Sequence, residues 1–231
     1  MNCLWLGCLL LAGSVFGATN TSDDWDDGLL HGWLGNTAAT EVEARTSGGN
    51  PDGYLFSRSA AGGNPYSTIG AMTRESRYTG DFSSAGVYRV SVDMNLLTGS
   101  MREVLLRFRY LNSQFNGWTY QLDTNAMPAG QWRHYEVNFD PDWTDAQAIA
   151  AGWVQESNSA SFQQTMANVY TTEIRVVGIS ATTATTFGID NFMLHASGGS
   201  ARAVPVLGIP ALLVLAAGLL FVARRRIRAR A

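Results

Sequence analysis

The chain has 231 residues, 46% of them hydrophobic, with 16 Arg and no Lys against 19 Asp and Glu, a formal net charge of −3. Residues 18–200 hold ten of the arginines and all 19 acids, a net of −9, which excludes a nucleic-acid binder working through phosphate contacts. Both cysteines, Cys3 and Cys8, fall at the extreme N-terminus. Residues 1–17 read as a secretory signal peptide: an apolar run from Leu4 to Phe16, then Val15 and Gly17 at the −3 and −1 places before Ala18. Its removal leaves no thiol, so disulfide and cysteine-metal frameworks are excluded and an ordinary core must hold the fold.

Residues 18–196 are long enough for one domain. They open on turn-rich stretches, "SDDWDDGLLHGW" and "RTSGGNPDGY", with "TEVEAR" between them alternating as a short strand. Period-2 segments then recur. "VYRVSVDM" places Tyr88, Val90, Val92 and Met94 on one side, and "VLLRFRYL" sets Leu106, Phe108 and Tyr110 against Arg107 and Arg109. "GWTYQL" alternates Trp118, Tyr120 and Leu122, while "WRHYEVNF" opposes Tyr135, Val137 and Phe139 to Trp132, His134, Glu136 and Asn138. "TDAQAIAAGW" and "SFQQTMANV" each begin with a capping-box spacing, Thr144 to Gln147 and Ser161 to Gln164, and predict two short helices in a loop. "TEIRVVGI" and "TFGIDNFML" close the series. The expected architecture is an all-β antiparallel sandwich, a jelly roll with one or two short helices.

After a small polar linker at 197–203, Val206 to Ala223 form an uncharged run. As a helix it spans roughly 27 Å, enough to cross a bilayer core of about 30 Å. Arg224, Arg225, Arg226, Arg228 and Arg230 follow and, by the positive-inside rule, hold the C-terminus in the cytoplasm with the domain outside.

No catalytic signature is present: the three histidines lack metal-ligand spacing, and neither a nucleophile elbow nor a phosphate-binding loop occurs. Glu103, Glu136 and Glu173 lie on predicted strands without a recognisable pairing. Two groups of residues are candidate binding sites instead. Clustered aspartates suit a hard cation, and joining of the first and last strands would bring Asp26 or Asp27 toward Asp190, a candidate calcium set that competes with plain turn and cap roles. Trp132 follows the polar phase of its strand, so with His134, Arg107 and Arg109 it is a candidate glycan-stacking surface; tryptophans in the apolar phase read as core.

The tail resembles the PEP-CTERM class of C-terminal sorting signals: a Pro-containing motif at Val204, Pro205 and Val206, the helix, and the arginine cluster. It departs from the signature in that Pro205 is flanked by valines, with no Glu and no second Pro. The resemblance implies a sorting protease of the exosortase type cutting near Val204–Val206, an inner-membrane stage and then the cell surface, with extracellular polysaccharide as the usual setting. The domain is similar to galactose-binding-like and laminin-B-like jelly rolls, through "YTGDFSSAGVYRVSVDM", "GQWRHYEVNF", "SFQQTMANVYTTEIRV" and "FGIDNFML". The function expected is an exported surface or matrix module associated with glycan. The alternatives are a glycan-active enzyme, which needs a cleft with two carboxylates, and a purely structural or adhesive protein.

Overall fold

The computed structural model describes residues 20–38, 40–59, 68–110, 116–123, 128–178 and 185–197. The predicted signal peptide, the linker beyond Ser197, the apolar run, the Val204–Val206 motif and the tail arginines lie outside the described residues. Among those described, no helix is long and apolar enough to cross a membrane.

Twelve strands and three short helices run β1 (Thr21–Asp23), β2 (Trp33–Gly35), β3 (Thr40–Arg45), β4 (Tyr54–Ser59), β5 (Thr68–Thr73), α1 (Phe82–Ala85), β6 (Val87–Thr98), β7 (Met101–Tyr110), β8 (Gly117–Leu122), β9 (Arg133–Asn138), α2 (Asp145–Ala150), β10 (Trp153–Gln155), α3 (Phe162–Met166), β11 (Val169–Gly178) and β12 (Thr186–Ala196) among the described residues. They pair into two six-stranded sheets, all antiparallel. Sheet A has the order β3-β4-β12-β6-β9 with β1 also on β12; sheet B has the order β10-β8-β7-β11-β5-β2. The predicted all-β sandwich is the observed one.

Alternation along each strand explains the layers. From β7, Val104, Leu106 and Phe108 are buried in the core, and from β11, Ile174 and Val176. Sheet A meets them with Val90, Val92 and Met94 of β6 and Phe187 and Ile189 of β12. Tyr88 departs from the predicted side and is 41% exposed. Arg89 pairs with His195 and Val87 with Ala196, so Tyr88 is the extra residue of a bulge, and Val87 takes the inward place.

A second bulge lies on β12. Asp190 pairs with Asp93 and Met193 with Ser91, leaving two residues opposite one. Asn191 has a φ of 48°, and the inward phase passes from Ile189 to Phe192 across it. The neighbouring strand changes there too: β4 pairs with Thr186–Ile189 and β1 with Phe192–Leu194. First and last strands therefore lie together as expected.

Both predicted helices form with complete capping boxes, from Thr144 and Ser161. The short strand β10, absent from the sequence reading, separates them. Helix α3 is held by Phe162, whose ring lies 5.1 Å from Trp118 and 5.4 Å from Trp153, centroid to centroid. A second aromatic cluster joins Trp33 to Phe192 at 4.9 Å and to Tyr78 at 5.7 Å. Tryptophans in the apolar phase are thus core, at a burial value of about 3–5 kcal/mol each on truncation.

Candidate functional site

Inward placement of Leu106 and Phe108 forces Arg107 and Arg109 to the outward side of sheet B, and inward Ile174 does the same for Glu173 and Arg175. The register sets Glu173 directly opposite Arg107, with Thr171 opposite Arg109 and Leu105 opposite Arg175. Arg107 Nη1 donates to Glu173 Oε2 at 3.0 Å, and Arg109 Nη1 approaches the same oxygen at 3.9 Å. Glu173 Oε1 accepts from Asn36 Nδ2 at 3.1 Å.

Glu156, just past β10, completes the row. Its amide donates to the Gly117 carbonyl at 2.9 Å. Its Oε2 accepts from Arg107 Nε at 2.9 Å, Arg107 Nη2 at 2.7 Å and the Gly117 amide at 2.7 Å, while Oε1 faces Arg175 Nη1 at 3.4 Å. A Cβ at residue 117 would stand 2.0 Å from the Phe108 carbonyl oxygen, so glycine is required for this close approach.

Arg107 and Arg109 are each only 7% exposed and Glu173 2%. Burial pulls the Arg107 guanidinium down, but Glu156 and Glu173 outweigh it and hold it above its ordinary value. Arg109 lies below its ordinary value, through burial first and then the neighbouring Arg107 and Arg74. Ordered, desolvated charges of this kind are pre-organised to bind polar groups, because they need no rearrangement.

Trp132 and His134 are on the other side of the molecule. Strand β9 is at the edge of sheet A, and Trp132 points outward as its phase predicts. Its ring closes onto Tyr54 at 5.6 Å, edge to face, and its Nε1 donates to the Gly48 carbonyl at 3.2 Å. His134 Nδ1 donates to Asp93 Oδ1 at 2.6 Å. The expected surface of Trp132, His134, Arg107 and Arg109 is therefore corrected: Trp132, just before β9, and His134 on it go with sheet A, while Arg107 and Arg109 on β7 belong to sheet B.

The aspartates are also divided. Asp27 Oδ2 accepts from His31 Nε2 at 2.8 Å, Asp26 Oδ1 from the Gly53 amide at 2.6 Å, and Asp190 Oδ2 from the Asn50 amide at 2.5 Å. Burial pushes the Asp190 carboxyl up to about 6, with Asp93 and Asp26 adding to the rise against the Asn50 and Asn191 amides. Asp26 and Asp190 thus hold amides of the 50–53 segment, whereas Asp27 turns to His31. Among the described residues no three of His, Cys, Asp and Glu stand where they could hold one metal ion, so the structure does not gather the calcium set of Asp26, Asp27 and Asp190.

The three glutamates of the sequence reading are likewise dispersed. Glu103 is bridged to Arg102 at 2.8 Å, Glu136 to Arg89 at 3.0 Å on sheet A, and Glu173 to Arg107 on sheet B. Ser91 Oγ is 2.8 Å from His195 Nε2, but Arg89 Nη2 donates to His195 Nδ1 at 3.1 Å. The imidazole must then carry its proton on Nε2 and donate it to Ser91, the wrong tautomer for a general base.

Two features escaped the sequence reading. Glu156 lies 49 residues from Arg107 in the chain and outside any strand. Buried Asp23 binds Trp33 Nε1 at 2.8 Å, Arg77 Nη2 at 2.8 Å and His31 Nδ1 at 2.7 Å, tying β1 to the turns around it. Only the period-2 arginines "RFR" and the "TEIR" phase signalled the first; nothing local signalled the second.

No protein-family model matches the chain, and no curated protein matches its sequence. Its fold matches solved structures. The family 11 carbohydrate-binding module of the cellulosomal cellulase Lic26A-Cel5E of Clostridium thermocellum is similar over 78% of this chain and 96% of the module, with 13% identity and a TM-score of 0.50. An exo-β-agarase is similar over 78% of this chain and 25% of the agarase, with 13% identity and a TM-score of 0.53. At these identities the likeness is one of fold.

Proposed function

We propose that the chain is an exported glycan-binding module that presents the outward side of sheet B to polysaccharide. One observation carries this reading: a row of buried, mutually braced charged side chains lies on the outward side of two central strands, where an ordinary surface would be mobile and solvated. Guanidinium and carboxylate groups are the donors and acceptors that sugar hydroxyls require, and fixing them beforehand spares the entropy of ordering them on binding. The fold shared with a carbohydrate-binding module and with part of an agarase supports the same reading by analogy. Binding is favoured over hydrolysis because Glu156 and Glu173 both serve as acceptors for Arg107, and Glu136 is on the opposite face.

The reading includes the C-terminal segment on the strength of sequence alone. Residues 204–231 act as a sorting signal, with 206–223 as the membrane helix and an exosortase-type protease as the partner.

Affinity electrophoresis of the full chain through gels containing neutral and acidic polysaccharides tests the binding reading. Retardation by at least one polysaccharide is expected, weakened by Arg109→Gln and unchanged by Glu41→Gln on the edge of sheet A. Folded protein that migrates freely through every gel would refute it. Mass spectrometry of the mature C-terminus tests the tail, where a peptide still ending at Ala231 would refute cleavage.

A further inference from the structure

The outward side of sheet A carries a polar group that the fold leaves unused. Asn95 is on β6 between Met94 and Leu96, which both enter the core. It is 4% exposed, yet its Oδ1 meets no hydrogen-bond donor among the described residues. A buried acceptor in that condition destabilises a fold, so its presence calls for a partner outside the fold.

Trp132 is what covers it. The register sets Asn95 opposite Gly188 of β12 and, one residue beyond the Met94–Arg133 pair, opposite Trp132. Strand β6 lies between β12 and β9, yet a Cβ at residue 188 would stand 2.7 Å from Cη2 of Trp132. The indole therefore reaches across β6 above Asn95 and occupies the space that Gly188 leaves bare. Tyr54 borders the same space, its Cδ2 2.9 Å from that Cβ position, and Phe56 is directly opposite Gly188. The polar anchorage of the indole is slight: Nε1 donates to the Gly48 carbonyl at 3.2 Å, and the half-buried ring meets Tyr54 edge to face. Trp132 also precedes the first residue of β9 and follows Gly130, where a Cβ would meet nothing within 4 Å.

We propose that Trp132 is a lid over a second saccharide site, on the sheet opposite the one that carries the reading above, and that its outward swing admits one neutral sugar residue to Asn95. Gly188 and Asn95 then form the floor of a slot bordered by Tyr54, Phe56 and the displaced indole. The C–H face of a pyranose packs against the aromatic rings, and one hydroxyl donates to Asn95 Oδ1. The sugar is neutral because the next row of the same face holds Asp93 and Asp190, paired across β6 and β12, whose carboxyl groups disfavour an anion.

The test titrates the full chain with cellohexaose, xylohexaose, mannohexaose and neoagarohexaose, and with hexagalacturonate as the anionic counterpart, following tryptophan fluorescence. At least one neutral hexasaccharide is expected to shift the emission, and hexagalacturonate is not. The shift disappears in Trp132→Phe and persists in Arg109→Gln on sheet B. Asn95→Leu keeps the size of the side chain and removes the acceptor. It is expected to weaken binding by about tenfold, one hydrogen bond, while raising the melting temperature by about 2–4 °C. Those opposed changes separate a binding role from a structural one, since a misfolded variant would not melt later. A lower melting temperature for Asn95→Leu with unchanged affinity would overturn the proposal by showing that Asn95 serves the fold. A shift abolished by Arg109→Gln would overturn it by placing the sugar on sheet B. No shift with any neutral hexasaccharide would defeat the lid site, while the reading of sheet B would still be decided by its own retardation assay.

Discussion

Replacing Glu173 by Gln keeps the shape of the side chain and removes one charge from beneath the arginine row. Glu173 is 2% exposed, and one of its oxygens serves Arg107 at 3.0 Å and Arg109 at 3.9 Å. The substitution leaves two desolvated guanidinium groups beside each other with one acidic partner fewer. Breaking a buried ion pair by removing one partner costs about 3–5 kcal/mol, against about 0–1 kcal/mol for a solvent-exposed pair. For a domain of this size that loss lowers the melting temperature by about 6–20 °C. Urea unfolding of the full chain, followed by tryptophan fluorescence, reads the change directly, because Trp118 and Trp153 are buried. Adding Arg109→Met to Glu173→Gln removes the like-charge neighbour and is expected to recover part of the loss, with a coupling of about 1–3 kcal/mol. A cost below about 1 kcal/mol for Glu173→Gln, with no recovery in the double variant, would show that the row behaves as an ordinary solvated surface and that the reasoning from burial is wrong.

Phe162→Ala removes the ring that closes α3 against Trp118 and Trp153 and is expected to cost about 3–5 kcal/mol, checked by thermal denaturation; a loss near zero would mean that α3 is not part of the core. Gly188→Ala would place a Cβ 2.7 Å from the Trp132 ring and 2.9 Å from Tyr54, so about 1–3 kcal/mol of destabilisation should accompany a change in Trp132 fluorescence. His31 is held above its ordinary value of 6.5, first by Asp23 and also by Asp27, against the opposing effect of burial. Protonation therefore stabilises the fold: the contribution is complete below pH 6.5 and is lost as pH rises through the folded value. Urea midpoints measured across that range should fall with rising pH in the parent chain and fall less in His31→Gln, and parallel curves for the two would contradict the assignment.

Local information in this chain is accurate where the physics is local. The two capping boxes at Thr144 and Ser161 form because each satisfies amide groups within its own first turn. The outward phase of Arg107, Arg109 and Trp132 follows from strand alternation alone. The exception on β6, exposed Tyr88, arises where β12 runs one residue out of step, and a bulge of that kind depends on the partner strand.

Alternation states that a side chain points away from the core but not which sheet it points from. Trp132 and Arg107 share the outward phase, yet β9 is the edge of sheet A and β7 a central strand of sheet B, so one expected surface became two. The same limit hid the partner of Arg107: Glu156 reaches it only because β10 pairs with β8 and brings the following loop across Gly117. The acids near the N-terminus divided for the same reason, Asp26 going to Gly53 near the last strand and Asp27 to His31. The amino-acid sequence by itself determined the fold class, the inward faces and the helix starts, because each rests on residues a few positions apart. Which outward charges meet, and therefore where a ligand would find them, was decided by strand pairing across long stretches of chain, where the free energy lies in joint burial and no neighbour in sequence carries the signal.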